Sequence, residues 1–211
     1  MTAGLLQHVR IPVSHGSLEG VLQTGEADAN FAAVVCHPHP LHAGTMHNKV
    51  VFHAAKALNG LGWPVLRFNF RGVGESTGSY GEGIAEQEDA RAALAFLDAD
   101  RVVMAGFSFG SFVGLTAGAA DERVVALCGI GVPVGADNRD WSTVLATGKP
   151  KLIVQGSEDE HGPPAAIQAW FDRLKPPKQL EVVDGADHFF TGYQEPLKAA
   201  IISYFGAFSA Q

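Results

Sequence analysis

The sequence predicts an α/β fold, in which a mostly parallel β-sheet is covered by helices on both faces. Strand-like runs and helical segments alternate along the chain, which is the pattern of this fold class. The strand-like runs are nearly continuous in apolar residues, most clearly at 31–36, and such runs are typical of strands buried on both faces. Only the N-terminal stretches 9–13 and 18–22 alternate, around a turn at 15–17, and they predict an antiparallel hairpin.

The elements after the hairpin follow in a regular order. The sequence predicts strands at 31–36, 65–70, 101–105, 124–130, 151–155 and 179–183. It predicts helices at 49–58, 82–97, 108–119, 164–174 and 197–208. Because no internal repeat, low-complexity tract or interdomain linker interrupts this alternation, we expect one domain over residues 1–211.

Composition narrows the function classes. The 211 residues are 46% hydrophobic and 18% charged, which is ordinary for a globular domain. The 15 basic and 22 acidic residues give a net charge of −7, and no Lys/Arg cluster stands out, so neither nucleic acid nor an anionic membrane is an expected partner. Without a signal-like N-terminus or an apolar span, the chain is expected to be cytoplasmic. Cys36 and Cys128 lie in apolar runs and are expected to be buried free thiols.

The segment most informative about chemistry is Gly106-Phe107-Ser108-Phe109-Gly110. It lies between a predicted strand and a predicted helix, which is the context of a G-x-S-x-G nucleophile elbow. In such an elbow the serine Oγ projects from a sharp turn, and the flanking glycines allow strand and helix to pass closely. The sequence therefore predicts Ser108 as a catalytic nucleophile.

A serine nucleophile needs a base and an acid that orients the base. In the order serine, acid, histidine, Asp159 follows one predicted strand and His188 follows the next. Both positions lie at carboxyl ends of strands, where open α/β sheets bind ligands. We predict Asp159 as the acid and His188 as the base. The alternatives for the acid are Glu158, Glu160 and Asp137.

The oxyanion of the tetrahedral intermediate needs two hydrogen-bond donors. The backbone N–H of Phe109, directly after the nucleophile, is expected to be one. The other is expected from the loop after Cys36, where Pro38 and Pro40 have no N–H to give. His39 is the first candidate in that loop and Leu41 the second.

The same loop region allows a competing interpretation. It contains five histidines within 17 residues, which could indicate a metal site: His37, His39, His42, His47 and His53. However, alternating prolines should splay the first two apart, and no Asp or Cys stands at ligand spacing. We therefore predict no metal and no cofactor.

With these motifs together, the chain resembles the α/β-hydrolase superfamily over nearly its whole length. Segments 37–51 and 69–76 resemble those of small bacterial serine hydrolases similar to dienelactone hydrolases and to the catalytic domains of the prolyl-peptidase group. The resemblance implies the fold and the catalytic class but says little about substrate. Dienelactone hydrolase uses cysteine as its nucleophile, whereas this chain has Ser108, so a lactone substrate is not implied.

The substrate is expected to be a small carboxylic ester. Relatives often insert a helical lid after the sixth core strand, but here only the sixteen residues Gly135–Pro150 fill that gap. An open, shallow site without a full cap domain suits short acyl groups. Trp141 in this gap either forms part of the acyl wall or covers the core. The alternatives are a peptidase, amidase or thioesterase with the same triad, or a non-catalytic binding protein of this fold.

Overall fold

The computed structural model describes residues 4–135 and 139–208. Its centre is an eight-stranded sheet in the order β1-β2-β4-β3-β5-β6-β7-β8. The strands are β1 Leu6–Val13, β2 Gly16–Gln23, β3 Ala32–Cys36, β4 Val65–Phe68, β5 Val102–Phe107, β6 Val124–Ile130, β7 Lys151–Gly156 and β8 Lys178–Val183. Strand β2 pairs antiparallel with β1 and β4, whereas every pairing from β4 to β8 is parallel. The predicted α/β fold with its N-terminal hairpin is confirmed.

Helices cover both faces of this sheet. They are α1 Lys49–Asn59, α2 Glu86–Phe96, α3 Phe109–Ala120, α4 Ser142–Ala146, α5 Pro164–Arg173 and α6 Gln194–Gly206. Strand β3 (Ala32–Cys36) shows why a central strand is apolar throughout. Val34 packs into the core on the face of α2 and α3, and Val35 packs into the core under α1 and α6. Because successive side chains of a strand point to opposite faces, a sheet with two cores needs apolar residues at every position.

Helix α2 begins four residues later than the sequence predicts. Glu82 and Gly83 have φ values of 59° and 81°, in the left-handed region that a helix cannot continue through. The carboxylate of Glu86 accepts hydrogen bonds from the backbone N–H groups of Gly81 and Gly83, at 2.7 and 2.8 Å. This buried carboxylate fixes a turn at the start of the range 82–97 that the sequence predicts as helix.

Two short elements are absent from the sequence prediction. Residues Pro40–His42 form a single 3₁₀ turn after β3, and α4 lies between β6 and β7. Both are shorter than the windows in which helical periodicity can be recognised. Within the part of the chain that the structure describes, no helix has the length and apolar character needed to cross a membrane.

Candidate active site

Ser108 occupies a strained turn between β5 and α3. Its φ is 55°, which is uncommon for a residue with a Cβ and is typical of functional sites. A Cβ at Gly106 would overlap the carbonyl oxygen of Gly110, and one at Gly110 would overlap the carbonyl oxygens of Cys36 and His37. Strand, helix and neighbouring loop therefore approach one another as closely as a nucleophile elbow requires.

Three side chains converge at this turn. His188 Nε2 lies 2.9 Å from Ser108 Oγ, and His188 Nδ1 lies 2.8 Å from Asp159 Oδ2. The carboxylate is a hydrogen-bond acceptor, so Nδ1 carries the proton and Nε2 presents its lone pair to the serine hydroxyl. Ser108 follows β5, Asp159 follows β7 and His188 follows β8. The structure thus brings together the three residues that the sequence predicts as nucleophile, acid and base.

Asp159 is held by hydrogen bonds to both of its oxygens. Oδ1 accepts from the backbone N–H groups of His161 and Gly162, at 2.8 and 3.2 Å. Oδ2 accepts from Gln155 Nε2 at 2.7 Å and faces His188. These hydrogen bonds satisfy the buried carboxylate and orient Oδ2 toward the imidazole of His188.

The alternative acids do not share this environment. Glu158 and Glu160 are exposed to solvent beside the buried Asp159. Asp137 lies outside the described residues. Of the described candidates, only Asp159 contacts the ring of His188.

Gln155 is a site residue that sequence reasoning missed. It is fully buried at the end of β7, where Nε2 donates to Asp159 and to the carbonyl of Gly162, and Oε1 accepts from Val132 N at 2.8 Å. Gln155 therefore links Asp159 by hydrogen bonds to the loops that contain Val132 and Gly162. A signal was present, because Gln155 is an amide directly after three apolar strand residues and just before the predicted acid.

Aromatic rings enclose the imidazole of His188. The rings of Phe107, His161 and Phe189 lie with centroids 4.9, 4.5 and 5.2 Å from it. Phe107 and Phe189 contribute apolar surface, whereas His161 stands roughly perpendicular to the catalytic ring on the solvent side. Packing on several sides restricts the rotamers of His188 and keeps Nε2 directed at Ser108.

The candidate oxyanion donors lie in different environments. Phe109 is the first residue of α3, so its N–H has no acceptor within the helix. His39 lines the same cavity as Ser108, and its ring lies 4.9 Å from that of Phe109. The ring is also held by Tyr80, whose hydroxyl is 3.0 Å from Nε2. The backbone N–H of His39 therefore stays our prediction for the second donor.

Leu41 is not brought into the site. Its backbone N–H donates to His39 Nδ1 at 3.2 Å, and its side chain is 67% exposed outside the cavity. The physical reason is the unpredicted 3₁₀ turn, which the ring of His39 caps. This turn directs the Leu41 amide back toward the loop instead of toward Ser108.

Trp141, considered as an acyl-wall residue, belongs to the core. It is 7% exposed, and its indole packs between Phe112 and Trp170 with centroid distances of 5.2 and 5.0 Å. It is not among the residues that line the cavity containing Ser108. Phe112 belongs to α3 and Trp170 to α5, so the indole fills the space between two helices. Of the two predicted roles, these contacts fit the covering of the core.

The five clustered histidines occupy different environments. His37 is buried under the loop, the rings of His39 and His42 stack at 4.5 Å, and His47 is exposed. His53 lies on α1. Among the described residues, no three His, Cys, Asp or Glu side chains are grouped so that they could hold a metal ion.

His37 braces the loop that carries His39. Its Nδ1 donates to the carbonyl of Pro38 at 2.6 Å, and its Nε2 accepts from Phe70 N at 3.0 Å. Both ring nitrogens are thus used by the neutral form. Burial lowers the pKa of His37 from 6.5 to about 4, and the hydrogen bond to Pro38 only partly opposes this effect.

This buried histidine predicts a loss of stability in acid. Because the pKa of His37 is lower in the folded state, the unfolded chain binds more protons between pH 6.5 and about 4. The free energy of unfolding should therefore fall as the pH drops through this range, by on the order of 3 kcal/mol from this group. Denaturant titrations across that range should show a shallower pH dependence in His37→Gln, which lacks the titrating ring. His8→Gln, at an exposed position of β1, is the control. Equal slopes in His37→Gln and wild type would contradict this account.

A cavity of about 300 Å³ opens beside Ser108. It is lined by Pro38, His39, His42, Asn48, Ser108, Phe109, Pro133, Arg139, His161, His188 and Phe189. The guanidinium of Arg139 lies over the rings of Phe109 and Phe112, at 5.3 and 5.2 Å. The site is therefore a small cleft with an aromatic and imidazole-rich wall, at the carboxyl edge of the parallel strands.

Comparisons with known proteins agree with this architecture. A family model described as an alpha/beta hydrolase domain matches residues 32–198. An uncharacterized protein of Rickettsia prowazekii is 34% identical over 200 residues, covering 90% of this chain and 84% of the relative.

Two solved structures are similar over nearly their full length. An alpha-beta serine hydrolase homologue from Coxiella burnetii has 36% identity and a TM-score of 0.86, covering 94% of this chain and 96% of the other. A serine hydrolase without lid from Xanthomonas campestris has 34% identity and a TM-score of 0.87, covering 96% and 94%. Fold and relatives together define the protein as an α/β hydrolase. The chain belongs to the alpha/beta hydrolase domain family, as its sequence motifs predicted.

Proposed function

We propose that this protein is a serine hydrolase that cleaves short-chain carboxylic esters through an acyl-enzyme. The observation that carries the proposal is the hydrogen-bonded relay from Ser108 through His188 to Asp159, which opens on a solvent-accessible cleft. Nucleophile, base and orienting acid in this geometry are what acyl transfer requires.

In the acylation step, Ser108 Oγ attacks the ester carbonyl carbon while its proton passes to His188 Nε2. Asp159 accepts the Nδ1–H bond throughout and stabilises the imidazolium that forms. The carbonyl oxygen becomes an oxyanion, which the N–H of Phe109 and that of His39 are proposed to bind. When the tetrahedral intermediate collapses, His188 donates its proton to the leaving alkoxide and the alcohol departs.

In the deacylation step, a water molecule takes the place of the alcohol. His188 Nε2 removes a proton from the water as its oxygen attacks the acyl carbon. The second tetrahedral intermediate expels Ser108 Oγ, which regains its proton from His188, and the carboxylic acid is released. Both steps use only side chains, backbone N–H groups and water.

The cleft favours small acyl groups. Its volume of about 300 Å³ lies at the lower end of ordinary ligand sites, and Phe109 and Pro133 give it apolar surface. Between β6 and β7 the described residues contain only the short helix α4. Long acyl chains would therefore extend into solvent without gaining contacts.

Other reactions of the same residues are the alternatives. A peptidase, amidase or thioesterase would use the same nucleophilic attack. An amine is a poorer leaving group than an alkoxide and depends more on protonation by His188, so esters are the favoured substrates. The Coxiella and Xanthomonas relatives are described as a serine hydrolase homologue and a serine hydrolase. That description supports a catalytic role over a binding protein that has lost activity.

A substrate series tests the proposed specificity. We expect acetyl and butyryl 4-nitrophenyl esters to be cleaved with higher kcat/KM than the decanoyl ester, and matched anilides and lactones to be cleaved at least about 100-fold more slowly. Initial rates of product release measure all of them, and thioesters of the same acyl groups complete the series. Equal rates on anilides and esters would favour a peptidase or amidase, and a higher kcat/KM for the thioesters would favour a thioesterase.

A further inference from the structure

A second cavity adjoins the cleft of Ser108. It has a volume of about 420 Å³ and lies between the start of α1 and the segment before α6. Asn48 and Phe189 line both cavities, so the two meet at these side chains. The polar residues of the second cavity are Thr45, His47, Asn48, Lys49, Thr191 and Gln194.

The second cavity meets the cleft at Phe189, whose ring lies 5.2 Å from that of His188. His188 Nε2 has to reach the leaving oxygen to protonate it, so the alcohol portion of an ester points toward the imidazole. Phe189 follows His188 directly and lines both cavities, whereas the proposed oxyanion donor Phe109 lines only the cleft of Ser108. An alcohol that extends past Phe189 therefore enters the second cavity.

The charge of this cavity differs from that of the whole protein. The chain carries a net charge of −7, yet none of the described residues that line the second cavity is acidic. Lys49 provides an ammonium group, His47 an imidazole, and the threonines and amides provide further donors. Binding groups of this kind suit an anion.

The carboxylates near this cavity have partners of their own. Asp187 accepts a hydrogen bond from Thr191 N at 2.8 Å, and this bond lowers its pKa and keeps it ionised. Glu195 Oε1 pairs with Lys198 at 2.7 Å. Asn48 Oδ1 accepts from Val50 N at 2.9 Å to cap α1, which leaves its Nδ2 to serve a ligand as a donor.

We propose that the second cavity is the alcohol subsite and that it takes a leaving group carrying an anionic oxygen, such as a carboxylate or a phosphate. This inference rests on the proposed ester hydrolysis and adds the chemical class of the alcohol. Lys49 and His47 bind the anion, and Phe189 packs against the linker between the ester and the charged group.

Esters that differ only in the alcohol test the proposal. The butyryl esters of propanol, 3-hydroxypropanoate, ethylene glycol monophosphate and choline present neutral, anionic, anionic and cationic leaving groups. We expect the wild-type enzyme to show kcat/KM values about tenfold higher for the two anionic esters than for the propyl or choline ester. Lys49→Gln and His47→Gln should each reduce this ratio by raising KM for the anionic esters.

A matched control variant is available on the same helix. Lys56 is an exposed lysine of α1 that lines neither cavity, so Lys56→Gln should retain the wild-type ratio. Similar kcat/KM values for all four esters in wild type, or the same loss of ratio in Lys56→Gln as in Lys49→Gln, would overturn the subsite. A preference for only one of the anionic esters would support it and identify the anion.

Binding separates a failure of the subsite from a failure of the proposed hydrolysis. In Ser108→Ala, calorimetry should detect binding of butyryl 3-hydroxypropanoate, and Lys49→Gln in that background should weaken it about tenfold. Binding with this dependence supports the subsite even if the wild-type protein cleaves no ester. Absence of binding, or binding that does not depend on Lys49, contradicts it even if hydrolysis is observed.

Discussion

Replacing Ser108 with alanine is expected to lower kcat for a short-chain ester by about 10⁴–10⁶-fold, because the three residues of the relay act as one unit. The substitution removes Oγ, the atom that would form the acyl bond, and with it the hydrogen bond at His188 Nε2. It retains the Cβ, so the backbone strain at φ 55° is the same in both proteins. The thermal midpoint should therefore stay near the wild-type value.

Steady-state kinetics on 4-nitrophenyl butyrate measures this effect. Ser203→Ala, an exposed serine of α6, serves as the matched control and should keep wild-type kinetics. A loss of less than tenfold in Ser108→Ala, with the protein folded, would mean that another group performs the reaction.

Asp159→Asn is expected to lower kcat by about 10³–10⁴-fold. The oxygen of the new amide must remain with the N–H groups of His161 and Gly162, so its nitrogen turns toward His188 and Gln155. A donor facing Nδ1 favours the tautomer that carries its proton on Nε2. That tautomer cannot accept the proton of Ser108, and the amide nitrogen also opposes the Nε2 donor of Gln155.

The neighbouring carboxylates provide the controls. Glu158→Gln and Glu160→Gln remove the two described alternatives for the acid, and both side chains are exposed. Each should retain kcat within about threefold of wild type, because the substitution removes no interaction made by the reacting groups. If either of them lost activity as severely as Asp159→Asn, the acid would have to be reassigned.

The repeating pattern of the chain made most of the fold predictable. Uninterrupted apolar runs such as 31–36 indicate strands between two cores, and the hairpin alternates as a half-exposed pair should. The start of α2 was not predictable in this way, because the turn depends on Glu86 folding back onto Gly81 and Gly83. That contact joins a side chain to backbone groups up to five residues away, and it produces no periodic pattern of apolar residues in the sequence.

The candidate site could be predicted where short motifs and chain order determine it. The elbow at Ser108 and the order of acid and histidine both depend on local sequence and on strand ends. The positions of Leu41 and Trp141 could not be predicted from motifs or chain order. The amide of Leu41 is turned by a cap from His39, and the indole of Trp141 is drawn into the core by Phe112 and Trp170. The cap on Leu41 is local, but histidine is not one of the residues that usually cap a helix, so no signal in the sequence indicated it. The contacts of Trp141 join residues far apart in the chain.

The most direct measurement of the central claim is the reaction of the folded protein with a fluorophosphonate, followed by peptide mass spectrometry. Such probes bond covalently to a serine oxygen only when a neighbouring base activates it. We expect one adduct per chain, located on Ser108, and much slower labelling in His188→Ala and Asp159→Asn. Absence of an adduct on Ser108 in folded wild-type protein, or equally fast labelling of the His188→Ala variant, would contradict the assignment of Ser108 as a nucleophile activated by His188.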